Sequence, residues 1–415
     1  MVKAWSAKRN VAFVLLCFFA VAILLVLVRL NQSRGPILEP ESPEVAAFRF
    51  DRERNAWYTL QEVLQLMPLP PPPVQLPEGP GGRYVTNYEP ETGSLAKLVR
   101  AARPDDEVLM DYIVKCRPAI DKARAALLKS NLMFPMTDDA DERRHASWSE
   151  LARLASLLRG TARVEAASPG RSAEVAGLIR DVLRLEYMIS TDFYPYNRSA
   201  AAELAPLMKT MGPRRLRQTL DWLVLFRQSL RPLTRCAELS LREFDKQQEK
   251  IDWREVKRHP VEAAHYAAMR ARQKSGLRRH HDAYIAVAGV EFYRLAEFEN
   301  QHPGLKTIPD NGWLISYRQF SYAYSQWLAH LDGLAIAAAL ELYRGSNGEY
   351  PDSLESLRPY FVRLPIDPFT GKSFIYRREG TDYVLYSCGP DQTDNGGARD
   401  VIIRWAPSPT ATAPG

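Results

Sequence analysis

The chain is poor in cysteine, with 4 in 415 residues. Cys17 sits inside an apolar run, which leaves Cys116, Cys236 and Cys388. Three thiols so far apart in sequence allow one disulfide at most, so a disulfide-dense secreted scaffold is excluded. No CxxC pair or Cys/His ligand spacing marks a zinc site. Catalytic signatures are missing as well: there is no GxSxG elbow, no phosphate-binding glycine loop and no HExxH pair. Charge of one sign is also lacking, since 55 basic and 49 acidic residues leave a net +6. The stretches Arg214-Arg215-Leu216-Arg217 and Arg278-Arg279-His280-His281 read as solvated helix faces. No RNA- or DNA-binding fingerprint accompanies them, so no nucleic-acid partner is expected. No fixed-period repeat indicates a solenoid.

Long hydrophobic runs are nearly absent, and the exception is informative. Val11 to Val28 reads VAFVLLCFFAVAILLVLV, without a charge, Gly or Pro. About 18–20 such residues cross a hydrocarbon core of roughly 30 Å as a helix, which satisfies its own backbone groups there. Ala20-Val21-Ala22 resembles a signal-peptide cleavage site but lies within the apolar run, whereas cleavage normally follows it. An uncleaved single-pass anchor in the bilayer is therefore expected. Lys3, Lys8 and Arg9 before the run, against Arg29 and Arg34 after it, favour a cytoplasmic N-terminus and an extracytoplasmic bulk.

Beyond the anchor, residues 31–94 read as a juxtamembrane and extended linker. It holds one short amphipathic helix (Trp57, Leu60, Val63, Leu64, Met67) followed by the polyproline stretch PLPPPPVQLPEGPGG. Residues 95–330 read as a helical domain of hairpins or a bundle. Val175, Leu178, Ile179, Val182, Leu183 and Leu185 form one apolar face, and Leu216, Leu220, Leu223 and Val224 form another. Ser147-Trp148-Ser149-Glu150 has the pattern of a capping box ahead of Leu151, Leu154 and Leu158. Breaks are expected at Pro118, Pro135, Ser168-Pro169-Gly170, Pro195, Gly212-Pro213, Pro260 and Pro303-Gly304.

Candidate chemistry in this region is sparse. Asp138, Asp139, Asp141 and Glu142 precede His145, but acids at a helix start complement its positive end, and Arg143 and Arg144 neutralise them locally. His280-His281-Asp282 are adjacent residues about 100° apart on a helix and face one site poorly. His259 and His265 are six apart, off the four-residue spacing of a helical zinc pair. If the protein is an extracytoplasmic enzyme or ligand-binding sensor, His145, His265 and His281 are the first groups to locate near a pocket.

The character changes near Leu331. A helical stripe (Leu334, Ala335, Ala338, Ala339, Leu342) runs into Ser346-Asn347-Gly348, whose turn chemistry stops it. A short helix from Ser353 to Pro359 follows, then a tight turn at Thr370-Gly371-Lys372. Strands are expected at Phe374–Arg377, Tyr383–Ser387 and Val401–Trp405, with a Gly/Asp-rich loop from Gly389 to Asp400. The Pro/Thr/Ala-rich tail 406–415 is expected to be disordered.

The runs ALELYRGSNGEYPDSLESL, LPIDPFTGKSFIYR and DYVLYSCGPDQTDNGGARDVI together resemble the C-terminal domain of the type II secretion major pseudopilin. The resemblance implies a helix packed on a small antiparallel sheet, with calcium bound by the loop. Carried over, it implies Asp391 and Asp400 as the acids of that site, Asp394 between them, and carbonyls from Leu385 to Ser387. The residues themselves agree with calcium, a hard cation taking six to eight oxygens from flexible Asp/Asn/Gly loops. They are equally the residues of a plain hairpin loop. At the other end the chain departs from the family. Its apolar run has neither a glycine cleavage site nor a glutamate, and residues 29–330 separate the run from the module. A pilus subunit is not expected. The whole reads as an α+β protein: cytoplasmic residues 1–10, a transmembrane helix over 11–30, the linker, a mostly helical middle domain, and a pseudopilin-like α+β module over 331–405. The function expected is an anchored, non-enzymatic protein of the bacterial inner membrane whose partners are other envelope or secretion-apparatus proteins.

Overall fold

The computed structural model describes residues 51–69, 103–129, 140–192, 201–230, 275–307, 317–396 and 401–404, together with residues 21, 95, 98 and 99. The chain is mostly helical with a small antiparallel sheet at its C-terminal end, an α+β arrangement. Among the described residues no helix is long and apolar enough to cross a membrane. The expected span at 11–28 lies outside the described residues, as do the polyproline stretch and the tail.

The first helix, α1 (Ala56–Leu66), starts where the Asn55 side chain accepts the Trp57 amide at 3.0 Å. It buries Trp57, Leu60 and Val63 against α3 (Arg117–Leu127) and α4 (Ala140–Ala167). The expected short helix is thus present and belongs to the main core. Its neighbour α2 (Glu107–Lys115) is capped by Asp106, which accepts the Val108 and Leu109 amides, and it donates a Tyr112 hydroxyl to the Pro68 carbonyl at 3.1 Å. Pro118 stands at the start of α3, where its missing N–H costs nothing.

Helices α4 and α5 (Ser172–Asp192) form an antiparallel hairpin around Ser168-Pro169-Gly170. All six residues of the apolar face read for α5 are buried, and so are Leu151, Leu154 and Leu158 of α4. One expectation is corrected here. Ser147–Glu150 does not cap a helix but lies within α4, which begins at Ala140. No Pro or Gly interrupts the residues between Ala140 and Ser147, so the helix propagates through the motif. Two side-chain pairs tie the hairpin to its surroundings: Arg124 of α3 donates to Asp181 at 3.0 Å, and buried Arg159 of α4 meets buried Glu186 of α5 at 3.3 Å. A short helix α6 (Ala201–Leu204) and a 3₁₀ turn (Ala205–Thr210) lead to α7 (Pro213–Ser229). There Gly212 and Pro213 mark the start as the sequence predicts, with Leu216, Leu220 and Leu223 buried. A helix over residues 275–287 (α8) and α9 (Phe292–Gln301) follow.

The longest helix of the set, α10 (Tyr317–Asn347), joins the two halves. From Trp327 to Leu342 every residue is buried. A helical stretch buried on all sides lies inside a core, and α10 has α7 on one flank and β3, β2 and the 205–210 turn on others. It passes without a break through residue 331, where the sequence places the start of the C-terminal module. It ends as predicted: Gly348 takes φ +83° and returns its amide to the Arg344 carbonyl at 2.8 Å, a left-handed stop that only glycine adopts without strain.

After a 3₁₀ turn (Leu354–Tyr360), β1 (Ile375–Glu379), β2 (Asp382–Ser387) and β3 (Val401–Arg404) pair antiparallel in the order β1-β2-β3. Ile375 opposes Tyr386 and Glu379 opposes Asp382. Alternation along β2 sends Tyr383 and Leu385 into the main core, and Val384 and Tyr386 into a second small cluster with Ile375. Leu385 pairs with Arg404 and Tyr386 with Ile402, so Ile403 stands in a bulge between them. The Ile403 side chain lies against Gly333 of α10, where an added Cβ would come within 2.5 Å of its Cγ1.

Candidate functional site

The sequence directs attention to the loop after β2, and the buried residue that organises it is Asp367. This residue opens the corner Asp367-Pro368-Phe369-Thr370-Gly371-Lys372. Its amide donates to the Lys372 carbonyl at 2.7 Å and its carbonyl accepts from Gly371 at 2.8 Å. The carboxylate points inward and is almost wholly buried. Oδ1 accepts from the Phe369 amide at 2.9 Å and the Ser387 hydroxyl at 2.8 Å. Oδ2 accepts from the Thr370 hydroxyl and the Cys388 amide, both at 3.2 Å. Burial pushes this acid above the ordinary carboxylate range, and the four donors work against that shift. The corner and the start of the loop are thereby one unit. Helix α9 clamps it from outside: the Tyr293 amide donates to Pro368, and the ring of Tyr293 covers Gly371.

The expected metal ligands fall into three groups. Leu385 lies in β2 with a partner strand on each side, and Ser387 spends its hydroxyl on Asp367. Asp391 and Asp394 are on the exposed loop, where each is engaged by the loop's own donors. Asp391 accepts from the Thr393 amide at 3.1 Å and the Asn395 side-chain amide at 2.8 Å. Asp394 accepts from the Tyr386 hydroxyl at 2.7 Å and the Gly396 amide at 2.9 Å, and these two bonds hold its carboxyl below the usual range. Asp400 lies outside the described residues. Among the described residues no group of three or more His, Cys, Asp or Glu is disposed to hold a metal ion. Gln392, at φ 56°, donates its side-chain amide to the Phe369 carbonyl at 2.9 Å and straps the loop to the corner.

In the helical half, a shallow cleft of about 200 Å³ sits at the α4–α5 turn, lined by residues 165–172 with Val175 and Thr210. Its charged groups are already paired, Glu165 with Arg171 at 2.6 Å and with Arg117 at 3.4 Å. His281 does not line it; the ring stands 3.5 Å from Asp282 on α8. His265 and the side chain of His145 lie outside the described residues, as do Asp138 and Asp139. Cys116 and Cys388 are both free and buried. Burial pushes the Cys116 thiol up, away from the thiolate that reactive cysteines need.

Two buried polar groups on α10 were not singled out by sequence. Asp332 is held at 3.3 Å by Arg227 of α7, yet burial raises it to about 6. His330, one turn along from Trp327, has neither ring nitrogen hydrogen-bonded, and burial alone lowers it to about 3. No family model, curated protein or solved structure matches the chain.

Proposed function

We propose that the protein is a single-pass, membrane-anchored scaffold of the bacterial envelope, with the bulk of the chain extracytoplasmic and a pseudopilin-like module presented at its C-terminal end. The supporting observation is the joint between the halves. Helix α10 is shared by the helical core and the sheet, Ile403 packs on Gly333, and Lys209 reaches Asp382 at 2.9 Å. A module fixed this firmly presents its loop and turns in one orientation, which suits docking to another envelope or secretion-apparatus protein better than a mobile tether would. Such partners are sought by crosslinking the full chain in native membranes and identifying the adducts. A specific envelope protein captured by wild type, and lost on substituting exposed residues of the module, supports the reading; adducts that ignore those substitutions sink it.

Calcium is part of the same proposal. The ion would draw Asp391 and Asp394 away from Thr393, Asn395, Tyr386 and Gly396, and its oxygen chemistry suits the loop. Binding to the folded state alone raises stability by mass action, about 2.7 kcal/mol at a hundred times the dissociation constant. Thermal unfolding of the full chain in detergent, with calcium and with chelator, reads this directly. A rise in Tm that disappears in Asp391→Ala is expected, and equal Tm values at millimolar calcium remove the metal from the proposal.

A further inference from the structure

We propose that the loop over residues 361–366 is a lipid-contact element that rests on the surface of an anionic bilayer; this builds on the anchored reading above. The loop joins the 354–360 turn to the Asp367 corner. Phe361 and Leu364 are partly buried and packed on the core. They leave Val362 fully exposed and Ile366 more than one-third exposed. Between them Arg363 is exposed and, among the described residues, has neither a hydrogen bond nor an ion pair. Lys372 is brought beside the loop by its backbone bond to Asp367, and its ammonium group likewise has no partner among the described residues.

The loop therefore ends in aliphatic side chains flanked by uncompensated cations. Its adjoining acid, Asp367, is turned inward and fully engaged, and Glu355 upstream is paired with Arg358. Water gains nothing from holding Val362, whereas a headgroup layer accepts the aliphatic tip and its phosphates attract Arg363 and Lys372. Two aliphatic residues would bind lipid weakly if the protein were free. A chain already anchored by its apolar run holds the loop at an effective concentration on the order of millimolar, where weak contacts become populated. An acidic protein surface would satisfy the cations but gives no reason for the aliphatic tip between them.

The test uses the full chain with a photo-crosslinking side chain in place of Val362, in nanodiscs of either zwitterionic or partly anionic lipid. Residue 362 is fully exposed, so the replacement leaves folding intact. Lipid adducts are expected in both discs, several-fold more in the anionic ones. Adding Arg363→Glu and Lys372→Glu should reduce the anionic adduct at least to the zwitterionic level. Incorporation into discs without lipid adducts overturns the loop proposal and leaves the anchor standing. Failure of the chain to incorporate at all overturns both. In native membranes, crosslinking from residue 362 to a protein instead of lipid also overturns it.

Discussion

Replacing Gly333 by alanine should destabilise the protein, although the same change in an ordinary helix interior stabilises it by about 1 kcal/mol. The reason lies across the joint. A Cβ at 333 would sit 2.5 Å from Cγ1 and 2.6 Å from Cδ1 of Ile403, and 3.2 Å from Cγ2. The nearest of these, Cγ1, is bonded directly to the Ile403 Cβ and cannot swing away as a chain end could. Ile403 is β-branched, fully buried and fixed in a bulge of β3, so it has little room to turn aside. Overpacking of this kind costs about 1–3 kcal/mol, which leaves Gly333→Ala destabilising by about 1 kcal/mol once the helix gain is subtracted. In an Ile403→Ala background the obstruction is gone. There Gly333→Ala should stabilise by about 1 kcal/mol, giving a coupling of about 2 kcal/mol between the sites. Urea unfolding of the four proteins measures each term. The reasoning fails if Gly333→Ala has the same sign and size in both backgrounds, because α10 and β3 would then not be in contact.

Acid should weaken the fold through His330. Its folded value of about 3 lies below the ordinary 6.5, so the stability of the neutral buried ring is intact above pH 6.5 and is lost as pH falls toward 3. By pH 5 this contribution has fallen by about 2 kcal/mol, so between pH 7 and pH 5 His330→Leu should fare better than wild type by about that amount; parallel curves count against it. Asp332 acts in the opposite direction. Its value, raised to about 6 from 3.8, penalises the fold at neutral pH, and the penalty is relieved as pH drops through 6. Asp332→Asn should therefore steepen the acid loss between pH 7 and pH 5, by about 1 kcal/mol, and a wild-type pH dependence in that variant would refute the assignment. At the corner, Asp367→Asn keeps the size but turns a donor toward groups that donate, which should cost about 2–4 kcal/mol for bonds to a buried carboxylate. Hydrogen exchange should show the Cys388 and Phe369 amides losing protection while α5 keeps its own, and uniform protection would refute the local reading.

Much of the helical half was legible because periodicity is a local signal. The α5 face at Val175–Leu185, the Gly212-Pro213 start of α7 and the Gly348 stop of α10 all follow from residues within a turn or two of one another. The hairpin β1–β2 was legible for the same reason. Failures came where the deciding partner is remote. Nothing local marks Asp367 as buried, because its carboxylate is satisfied by Ser387 and Cys388, twenty residues on. The start of α10 at Tyr317 had a signal that went unread: Tyr317, Phe320, Ala323 and Trp327 recur at spacings of three and four and are all buried. The pattern is masked by Arg318, Gln319 and the tyrosines between them. Ser147–Glu150 shows the converse, a local motif without a local consequence.

The composition of α10 explains why the two halves hold together. Between Trp327 and Leu342 the helix uses Ala329, Gly333, Ala335, Ala337, Ala338 and Ala339, residues small enough for α7, β2 and β3 to approach from different sides. A run of leucines would bury more area per residue but hold the neighbours apart. Its acids are placed where a partner exists: Asp332 faces Arg227, and Glu341 accepts the Tyr350 hydroxyl at 2.7 Å and the Arg344 guanidinium at 3.1 Å. Tyr350 in turn stacks edge-on against Tyr383 of β2. The polar groups of the helix thus bind one half on one flank and the other half on the opposite flank. Removing the chain beyond Asn347 would uncover the apolar Gly333 flank of the helix and take the Tyr350 hydroxyl from Glu341. The C-terminal sheet is therefore part of the wall of the helical core, and the two halves stand or fall together.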